Sequence, residues 1–475
     1  MKRKYLKIEK KIINDLKNGK ISIITQNLNK IKKDGIFVCI KGKNVDSHLF
    51  INEAFKKGAK YVIGSENFNQ KNYFQVTNSR KALAYLLNIY YKFPDTKLKI
   101  VGIVGTNGKT STSYIFKDYC ELLGLKCGVI GTNGIFINNI YFENALTTPD
   151  SEELFYYLDL MVKQNVEFVF IEVSAHAIKL DKAFSLKFEQ LVFTNFSQDH
   201  LDFFKTMEDY QNTKTSIFFD YSYKKAIINT DDKVGEFLYN NIKNQKLSYG
   251  KSGEICLKKF VLNYDFTKLE VFTSLNKNII ISLLCKYNIY NFLAVFSSLM
   301  SLNISEDLLI ENDIKLKRVK GRFEVINFSK THTIIIDYAH TPKSTLETLK
   351  AVKEYYPKDY LVTLFGCPGN REQQKREYTG RIISKYSDFC IITSDNPNTE
   401  NVVKILHQIK KGTKCPHRVI EDRKKAIKKS AEIFLQKKSA VLLLLGKGIE
   451  DYQIVNTIKI PYNEEKELKI LLENN

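Results

Sequence analysis

The amino-acid sequence predicts an α/β protein of three domains, in which the central domain is a phosphate-loop domain with a doubly wound, mostly parallel sheet. Three observations predict this class. The chain has 475 residues, more than one hydrophobic core usually organises. Apolar strand segments alternate with helical segments from residue 98 onward. One of these strands, at 98–105, leads into a glycine-rich turn and then a helix.

The domains are predicted at residues 1–97, 98–317 and 318–475. The first is a small α/β unit with strands at 36–40 and 59–65, a helix at 51–57, and a break at Pro94-Asp95. The second contains the strand sequences KCGVIGT, EFVFIEVS, QLVFTNF and KKAIINTD. The third is predicted to be Rossmann-like, with strands at 331–339, 360–366, 389–395 and 439–446.

The composition excludes several classes of protein. Hydrophobic residues make up 44% of the chain and aromatic residues 12%, which excludes a disordered chain. The net charge is +21, but the basic residues are spread along the sequence, so we predict no nucleic-acid partner. The eight cysteines form no C-x-x-C pair, and no apolar run approaches the roughly 18 residues of a membrane span. We therefore expect a cytoplasmic protein with free thiols and no membrane insertion.

The strongest local pattern is the run Gly102–Thr110, in which a buried strand ends in a turn that closes with Gly-Lys-Thr. Glycines let backbone N–H groups converge on phosphate oxygens, and the following helix, predicted at Ser111–Leu123, adds a partial positive charge. Lys109 is expected to reach the β- and γ-phosphates of ATP, and the Thr110 hydroxyl to bind Mg²⁺. The predicted nucleotide-binding residues of this loop are Gly105, Thr106, Asn107, Gly108, Lys109, Thr110 and Ser111.

Polar side chains follow three further strands, where an open α/β sheet places its active site. They are Glu172 and Ser174 after one strand, Asn195, Asp199 and His200 after a second, and Asp337 and His340 after a third. A buried carboxylate is costly unless it is paired or binds a cation. Each group alone is equally compatible with a structural role, but together, beside a phosphate loop, they predict a Mg²⁺-nucleotide site.

Six motifs follow one another between residues 105 and 342: GTNGKTS, TTPDS, EVSAHAI, FTNFSQDHLDFFKTMEDY, KGRFEVI and DYAHTP. In this order they resemble the motifs of the Mur ligase family, and most closely those of its tripeptide-forming branch. LFGCPGNREQQKR, TSDNPNTE and GKGIEDYQ extend the resemblance to residue 453. It implies an ATP-dependent acid–amino-acid ligase of peptidoglycan precursor synthesis, which adds a diamino acid to UDP-MurNAc-L-Ala-D-Glu.

The resemblance also implies roles for individual residues. Lys214 is expected to react with CO₂ and form a carbamate beside the second of two Mg²⁺ ions. The implied catalytic residues are Lys109, Glu172, His200 and Lys214, and the implied metal ligands are Thr110, Glu172, His200 and Lys214. Asn195, Arg322 and Asp337 are implied near the nucleotide. The residues expected to contact the UDP-sugar peptide are Lys43, Asn44, Thr147, Thr148, Ser174 and Lys182. Those expected to contact the amino acid are Arg371, Asp395, Asn396, Asn398, Gly446 and Glu450.

The implied reaction begins when ATP phosphorylates the free carboxylate of D-glutamate. The incoming amine then attacks the acyl phosphate, and inorganic phosphate leaves. The two Mg²⁺ ions and Lys109 offset the repulsion between carboxylate and triphosphate, so catalysis is mainly positioning and electrostatics. Domain closure is expected to keep water away from the acyl phosphate.

The motif Asp395-Asn396-Pro397-Asn398 bears on the identity of the amino acid. Diaminopimelate-adding members of the family usually have arginine where this chain has Asn398. Losing such a contact with a carboxylate costs ~1.5–3 kcal/mol, which slightly favours L-lysine. GKGIEDYQ, however, has the form typical of the diaminopimelate enzymes. We therefore slightly favour L-lysine over meso-diaminopimelate, and other diamines stay open.

The segment Asn27-Leu28-Asn29 also departs from the family, which usually has Asp-Ser-Arg there. The main alternative is accordingly a Mur-like amide ligase that acts on another carboxylate acceptor. The motifs TTPDS, DHLDFFKTMEDY and GKGIEDYQ argue against an acceptor of the folate type. A phosphate-loop switch protein and a basic nucleic-acid-binding module are weaker alternatives. We expect small-molecule substrates and a monomer.

Overall fold

Three sheets of mainly parallel strands and one hairpin organise the residues described by the computed structural model, which are 8–42, 45–273 and 278–473. Helices cover the sheets, as the alternation of apolar strands and amphipathic helices predicts. None of the described helices combines the length and the apolar character needed to cross a membrane.

The N-terminal sheet has four parallel strands in the order β1–β2–β3–β4. Its strands are β1 (Ile24–Thr25), β2 (Gly35–Val38), β3 (Ala59–Gly64) and β4 (Tyr73–Gln75), and its helices are α1 (Lys10–Lys17), α2 (Ile51–Lys56) and α3 (Ser79–Tyr90). The Asn78 side chain caps α3 by accepting a hydrogen bond from the N–H of Lys81.

Polar contacts join this sheet to the central one. The hydroxyl of Thr25 and the N–H of Gln26 donate to the Glu152 carboxylate at 3.0 and 2.7 Å. The Asn88 side chain donates to the carbonyl of Ser185 at 3.2 Å inside the interface. Because these groups are largely buried, the contacts hold the two units in one defined arrangement.

The central sheet has eleven strands in the order β15–β14–β13–β12–β11–β10–β5–β9–β6–β7–β8. The strands are β5 (Lys99–Val104), β6 (Cys127–Gly131), β7 (Gly134–Ile137), β8 (Ile140–Phe142), β9 (Phe168–Glu172), β10 (Lys187–Phe193), β11 (Ser222–Asn229), β12 (Gln245–Gly250), β13 (Ile255–Leu262), β14 (Thr267–Phe272) and β15 (Asn278–Ile281). The helices are α4 (Lys109–Leu122), α5 (Ser151–Lys163), α6 (Ala175–Lys179), α7 (Leu201–Phe204), α8 (Met207–Asp220), α9 (Lys233–Asn241), α10 (Lys286–Ser301) and α11 (Glu306–Ile310).

The register of the central strands places the segments predicted to form the active site at one edge. In the parallel pairs, Ile103 of β5 lies beside Glu172 of β9, and Val104 lies beside Phe193 of β10. The carboxyl ends of these three strands therefore meet. The turn after β5, the carboxylate that ends β9 and the residues after β10 are brought together by this register.

The C-terminal sheet has six strands in the order β16–β17–β21–β18–β19–β20, parallel except for β16. They are β16 (Glu324–Asn327), β17 (His332–Asp337), β18 (Tyr360–Phe365), β19 (Phe389–Ile392), β20 (His417–Val419) and β21 (Ala440–Leu445), and a separate hairpin is formed by β22 (Tyr452–Val455) and β23 (Ile458–Pro461). The helices are α12 (Pro342–Tyr355), α13 (Gln374–Tyr386), α14 (Val402–Gly412), α15 (Arg423–Leu435) and α16 (Glu464–Glu473).

The fold class predicted from the sequence is confirmed, including the mostly parallel central sheet. The sequence patterns did not predict the antiparallel extensions β13–β15 and β6–β8, or the hairpin β22–β23. The helix predicted at 111–123 begins two residues earlier, at Lys109, so that the phosphate loop leads directly into its first turn. The domain boundaries at 97/98 and 317/318 stay predictions.

Candidate active site

A cleft of about 1710 Å³ lies between the central and C-terminal sheets. It is larger than the roughly 300–1,000 Å³ of a typical small-molecule pocket, and so has room for several substrates together. The described residues predicted from the sequence line it, apart from Gly105; they are Thr106, Asn107, Gly108, Lys109, Thr110, Ser111, Thr147, Thr148, Glu172, Ser174, Lys182, Asn195, His200, Lys214, Arg322, Asp337, Arg371, Asp395, Asn396, Asn398, Gly446 and Glu450. Lys43 and Asn44 lie outside the described residues.

The phosphate loop is held from the neighbouring strand end by Asn195. The Asn107 N–H donates to the Asn195 side-chain oxygen at 3.0 Å, and the Asn195 side-chain nitrogen donates back to the Asn107 carbonyl at 3.0 Å. A Cβ at Gly105 would lie 1.9 Å from the Thr194 hydroxyl, so only glycine fits there. Gly108 has φ +87°, the left-handed region that glycine adopts readily. The loop conformation thus depends on the glycines that the sequence pattern identified.

Lys109 and Lys214 converge on one backbone oxygen. Their ammonium nitrogens lie 2.8 and 2.9 Å from the Gly105 carbonyl. Burial lowers the pKa of Lys109, although Glu172 and Asp199 oppose the shift. Burial and then the charge of Lys109 hold the pKa of Lys214 well below its usual range. The environment of Lys214 thus favours the neutral amine, which is the nucleophilic form.

Glu172 is fully buried at the end of β9. Its carboxylate accepts hydrogen bonds from the Thr110 hydroxyl at 2.9 Å and from the Thr132 hydroxyl at 3.0 Å. Gly131 provides the space, since a Cβ there would lie 2.1 Å from a Glu172 carboxylate oxygen. Among the described residues, Glu172 forms no ion pair. The N–H of Thr132 also donates to Glu172, at 3.2 Å. A buried carboxylate whose partners are all neutral donors is suited to bind a cation.

His200 follows β10 with φ +57°, a strained conformation for a histidine. Burial lowers its pKa to about 3, and nearby lysines contribute, so its imidazole is neutral near pH 7. Its ring lies 4.9 Å from that of His176. A neutral imidazole is the form that binds metal ions.

Asp199 is the carboxylate next to His200. Burial opposes its ionisation, but neighbouring cations outweigh burial and hold its pKa below the usual range. The charge of a protonated His200 and then that of Lys375 lower this pKa, and the Lys375 ammonium nitrogen lies 2.8 Å from Asp199 Oδ1. Lys375 belongs to α13, so this pair crosses the cleft.

Within the described parts of the chain, three or more His, Cys, Asp or Glu side chains do not converge in a ready-made metal site. The predicted ligand set is compatible with this finding, because two of its four members are the Thr110 hydroxyl and a modified Lys214. The Thr110–Glu172 contact at 2.9 Å is the part of the set already assembled. Oxygen ligands of this type suit Mg²⁺.

The residues predicted to contact the UDP-sugar peptide line the cleft beyond β9. The Thr148 hydroxyl donates to the Glu172 carbonyl at 2.7 Å and accepts from the Ser174 N–H at 3.0 Å. Lys182 is buried, with its ammonium nitrogen 2.8 Å from Asp150. This group is therefore tied directly to the strand end that carries Glu172.

The altered segment at 27–29 forms a short turn. The Asn27 side chain accepts a hydrogen bond from the Asn29 N–H at 2.9 Å and caps the 3₁₀ turn Leu28–Lys30. The segment does not line the cleft, although the neighbouring Gln26 binds Glu152. The Asn27 side chain thus has a local structural function.

A buried residue behind the C-terminal wall of the cleft was missed by sequence reasoning. Lys447 is fully buried, and its ammonium nitrogen lies 2.5 Å from Asn396 Oδ1 and 3.0 Å from Glu450 Oε2. The Asn396 side chain also donates to Glu450 at 2.9 Å. A lysine between two glycines directly after the apolar strand β21 was the pattern that could have identified it.

Arg322 links the two halves of the cleft. Its guanidinium donates to the Thr110 hydroxyl at 3.2 Å and lies 4.4 Å from the centre of the Tyr338 ring. The Tyr338 hydroxyl donates to Glu450 at 3.1 Å. Contacts therefore run continuously from the phosphate loop to the residues around Lys447.

Asp337 fixes the segment that carries Arg322. Its buried carboxylate accepts hydrogen bonds from the N–H of Phe323 at 2.6 Å and the N–H of Ala339 at 2.8 Å. Burial raises the pKa of Asp337, although Arg322 and these hydrogen bonds oppose the shift. The carboxylate thus joins the start of the C-terminal sheet to the end of β17.

Comparisons with known proteins agree with this geometry. The model of the Mur ligase middle domain matches residues 103–299, and that of the Mur ligase, glutamate ligase domain, matches residues 321–448. UDP-N-acetylmuramoyl-L-alanyl-D-glutamate–2,6-diaminopimelate ligase 1 of Clostridium acetobutylicum is 37% identical, covering 96% of this chain and 97% of the relative. The corresponding ligase of Clostridium botulinum is 35% identical, with 93% of each protein covered. A solved structure of such a ligase has a TM-score of 0.69 at 24% identity and covers 96% of this chain and 95% of its own.

The fold and the cleft thus define an ATP-dependent enzyme that forms amide bonds. The chain belongs to the Mur ligase family. It is an ATP-dependent acid–amino-acid ligase, as the motifs predicted.

Proposed function

We propose that this enzyme joins a diamino acid to UDP-MurNAc-L-Ala-D-Glu through an acyl phosphate, and that the diamino acid is 2,6-diaminopimelate. The observation that supports it best is the single cleft that brings the phosphate loop, Glu172 and the Asn396–Glu450–Lys447 group together. The relatives' names favour diaminopimelate and give no support to the slight preference for L-lysine drawn from Asn398.

In this proposal the residue roles follow the arrangement of the cleft. Lys109 and the backbone of the phosphate loop bind ATP, with Arg322 reaching the loop from the other side. Thr110, Glu172, His200 and a carbamate on Lys214 hold Mg²⁺, which offsets the negative charge of the reacting phosphate and carboxylate. Burial, which lowers the pKa of Lys214, supports the carbamate, since only a neutral amine attacks CO₂.

The remaining assignments complete the proposal. Residues 1–97, with Lys182 and Thr148, bind the UDP-sugar peptide; residues 98–317 bind ATP; and residues 318–475 bind the amino acid. The cytoplasmic location and the monomeric state stay predictions.

The test is ATP-dependent phosphate release with UDP-MurNAc-L-Ala-D-Glu and meso-diaminopimelate, L-lysine or no amino acid, with the product identified by mass. We expect release and tripeptide with diaminopimelate. No release with any diamino acid, from folded protein that still binds ATP, would contradict the proposal and favour a different acceptor.

The carbamate is tested separately by ¹³C NMR after incubation with ¹³C-bicarbonate. We expect a carbamate resonance in the natural protein and none in Lys214→Arg, whereas Lys225→Arg, a change on β11, should retain it. A spectrum identical in all three proteins would exclude the modification.

A further inference from the structure

The hairpin β22–β23 and the segment 394–398 form one wall of the amino-acid half of the cleft. Gln453 Nε2 donates to the Asp395 carbonyl at 2.8 Å, and the Ile454 N–H donates to Asn396 Oδ1 at 3.0 Å. The Asn398 N–H donates to the Ile454 carbonyl at 3.0 Å. These hydrogen bonds position the hairpin side chains relative to the residues proposed to bind the amino acid.

The Asn398 side chain forms hydrogen bonds to the backbone of this wall. It has φ +53°, a conformation that asparagine tolerates better than most residues. Its side-chain nitrogen donates to the carbonyls of Gly369 at 3.2 Å and Asn396 at 3.0 Å. Both side-chain N–H groups are therefore engaged in the turn, and the residue offers no positive charge to a ligand.

Lys459 is the cation that the hairpin adds beside Asn398. It pairs with Ile454 across the hairpin, and both side chains line the cleft with Tyr452. The Lys459 ammonium nitrogen lies 4.4 Å from the centre of the Tyr452 ring and 3.2 Å from Glu143 of the central domain. The side chains of this ion pair are 46% and 78% exposed. Such a pair contributes little stability, so Lys459 can exchange Glu143 for another carboxylate at low cost.

Several other cations around this part of the cleft are held by partners that are less exposed than Glu143. Lys447 is bound to Asn396 and Glu450, Lys375 to Asp199, and Arg376 to Glu400. Arg371 is directed to Asp202 of the central domain. Lys459 is the cation that the hairpin places next to the 394–398 segment, where it can meet a charge on the far end of a ligand.

We propose that Lys459 binds the second carboxylate of a diamino dicarboxylic acid and so selects diaminopimelate over lysine. The inference rests on the proposed function. 2,6-Diaminopimelate has a carboxylate at each end, whereas lysine has one, so a cation at the far end discriminates between them. The Tyr452 ring under the ammonium group supports it by a cation–π contact and limits its rotamers.

The test compares kcat/KM for meso-diaminopimelate and for L-lysine in the natural enzyme and in Lys459→Ala. We expect the alanine variant to lose roughly 10- to 100-fold with diaminopimelate, the usual effect of removing a charge-assisted hydrogen bond. Its kcat/KM with lysine should stay within about twofold, because that substrate has no second carboxylate. Lys459→Arg keeps the charge and should retain most of the selectivity.

Two matched variants separate carboxylate binding from other effects. Glu143→Gln removes the ion pair across the cleft but leaves Lys459, so selectivity should be unchanged. Lys429→Ala removes an α15 lysine that pairs with Glu432 outside the cleft. It should leave kcat/KM unchanged for both substrates.

The outcomes distinguish the inference from the function on which it rests. Suppose that the natural enzyme uses diaminopimelate. If Lys459→Ala then lowers kcat/KM by the same factor for both substrates, or lowers it for neither, Lys459 does not select the substrate. If the natural enzyme uses neither amino acid, the proposed function fails. An enzyme that uses lysine alone overturns both the inference and the choice of diaminopimelate.

Discussion

Replacing Lys375 by alanine should let the cleft open during the reaction, because Lys375 joins its two walls. The Lys375 ammonium nitrogen lies 2.8 Å from Asp199 Oδ1. Two flanking contacts accompany this pair: Gln198 Nε2 donates to Glu372 at 2.7 Å, and Arg371 Nη1 lies 3.3 Å from Asp202. The segments 198–202 and 371–375 thus face each other, and one of them contains His200.

The size of the effect follows from burial. The side chains of Lys375 and Asp199 are 15% and 12% exposed, so the pair is screened far less than a surface ion pair. Removing one partner of a fully buried pair costs ~3–5 kcal/mol. Here opening rehydrates Asp199, so we expect the closed form to lose about 2–3 kcal/mol of stability relative to the open form. That lowers the ratio of closed to open molecules roughly 30- to 150-fold.

In Lys375→Ala, phosphate release should become uncoupled from tripeptide formation. Once the acyl phosphate has formed, an open cleft lets water compete with the incoming amine. The measurement is the ratio of phosphate released to tripeptide formed, which we expect to be near one in the natural enzyme. It should rise several-fold in Lys375→Ala and return toward one in Lys375→Arg.

Lys385→Ala is the control, because Lys385 is an exposed lysine on the same helix, α13. It should leave the ratio near one. A ratio that stays near one in Lys375→Ala as well would refute the view that this pair keeps the cleft closed.

Three further changes test other parts of the structure. Burial raises the pKa of Asp313 from 3.8 to about 7, despite a hydrogen bond from Tyr119, so the folded protein retains this proton between those pH values. The free energy of unfolding, measured by urea titration, should fall by up to about 4 kcal/mol as pH rises through this window. In Asp313→Asn it should depend less on pH over the same range. An equal pH dependence in the two proteins would contradict the assignment. Arg423 forms a fully buried ion pair with Glu464, so Arg423→Met should lower the free energy of unfolding by ~3–5 kcal/mol, measured by urea titration. A Cβ at Gly108 would lie 2.3 Å from a side-chain oxygen at a φ of +87°, so Gly108→Ala should weaken ATP binding at least tenfold by calorimetry; unchanged affinity would count against the loop geometry.

The sequence predicted those parts of the site that are encoded by local patterns. A glycine-rich turn after a strand and a carboxylate at the end of an apolar strand are visible without knowing the fold, and parallel pairing then places Lys109 and Glu172 at one edge. The expectation for Lys214 came from the family resemblance instead. Locally it is one helix lysine among many, and its distinctive property is the burial that tertiary packing imposes.

The contacts across the cleft could not be predicted in this way. Lys375 lies in the first turn of α13, and its partner is 176 residues away in the chain, so the pair depends on how the domains are oriented. The hairpin β22–β23 was missed because it is short and its turn, at Asn456 and Thr457, has positive φ at both residues without a glycine. Lys459 escaped notice for the same reason.

A chain of contacts through Arg322 joins the proposed nucleotide site to the proposed amino-acid site. Arg322 reaches the Thr110 hydroxyl on one side and stacks on Tyr338 on the other, while Tyr338 holds Glu450. A phosphate group that draws the guanidinium away from Thr110 must also change its contact with Tyr338, because one rigid planar group makes both. Glu450 in turn orients the Lys447 ammonium nitrogen at 3.0 Å. Direct contacts therefore link the phosphate loop to the residues proposed to bind the amino acid.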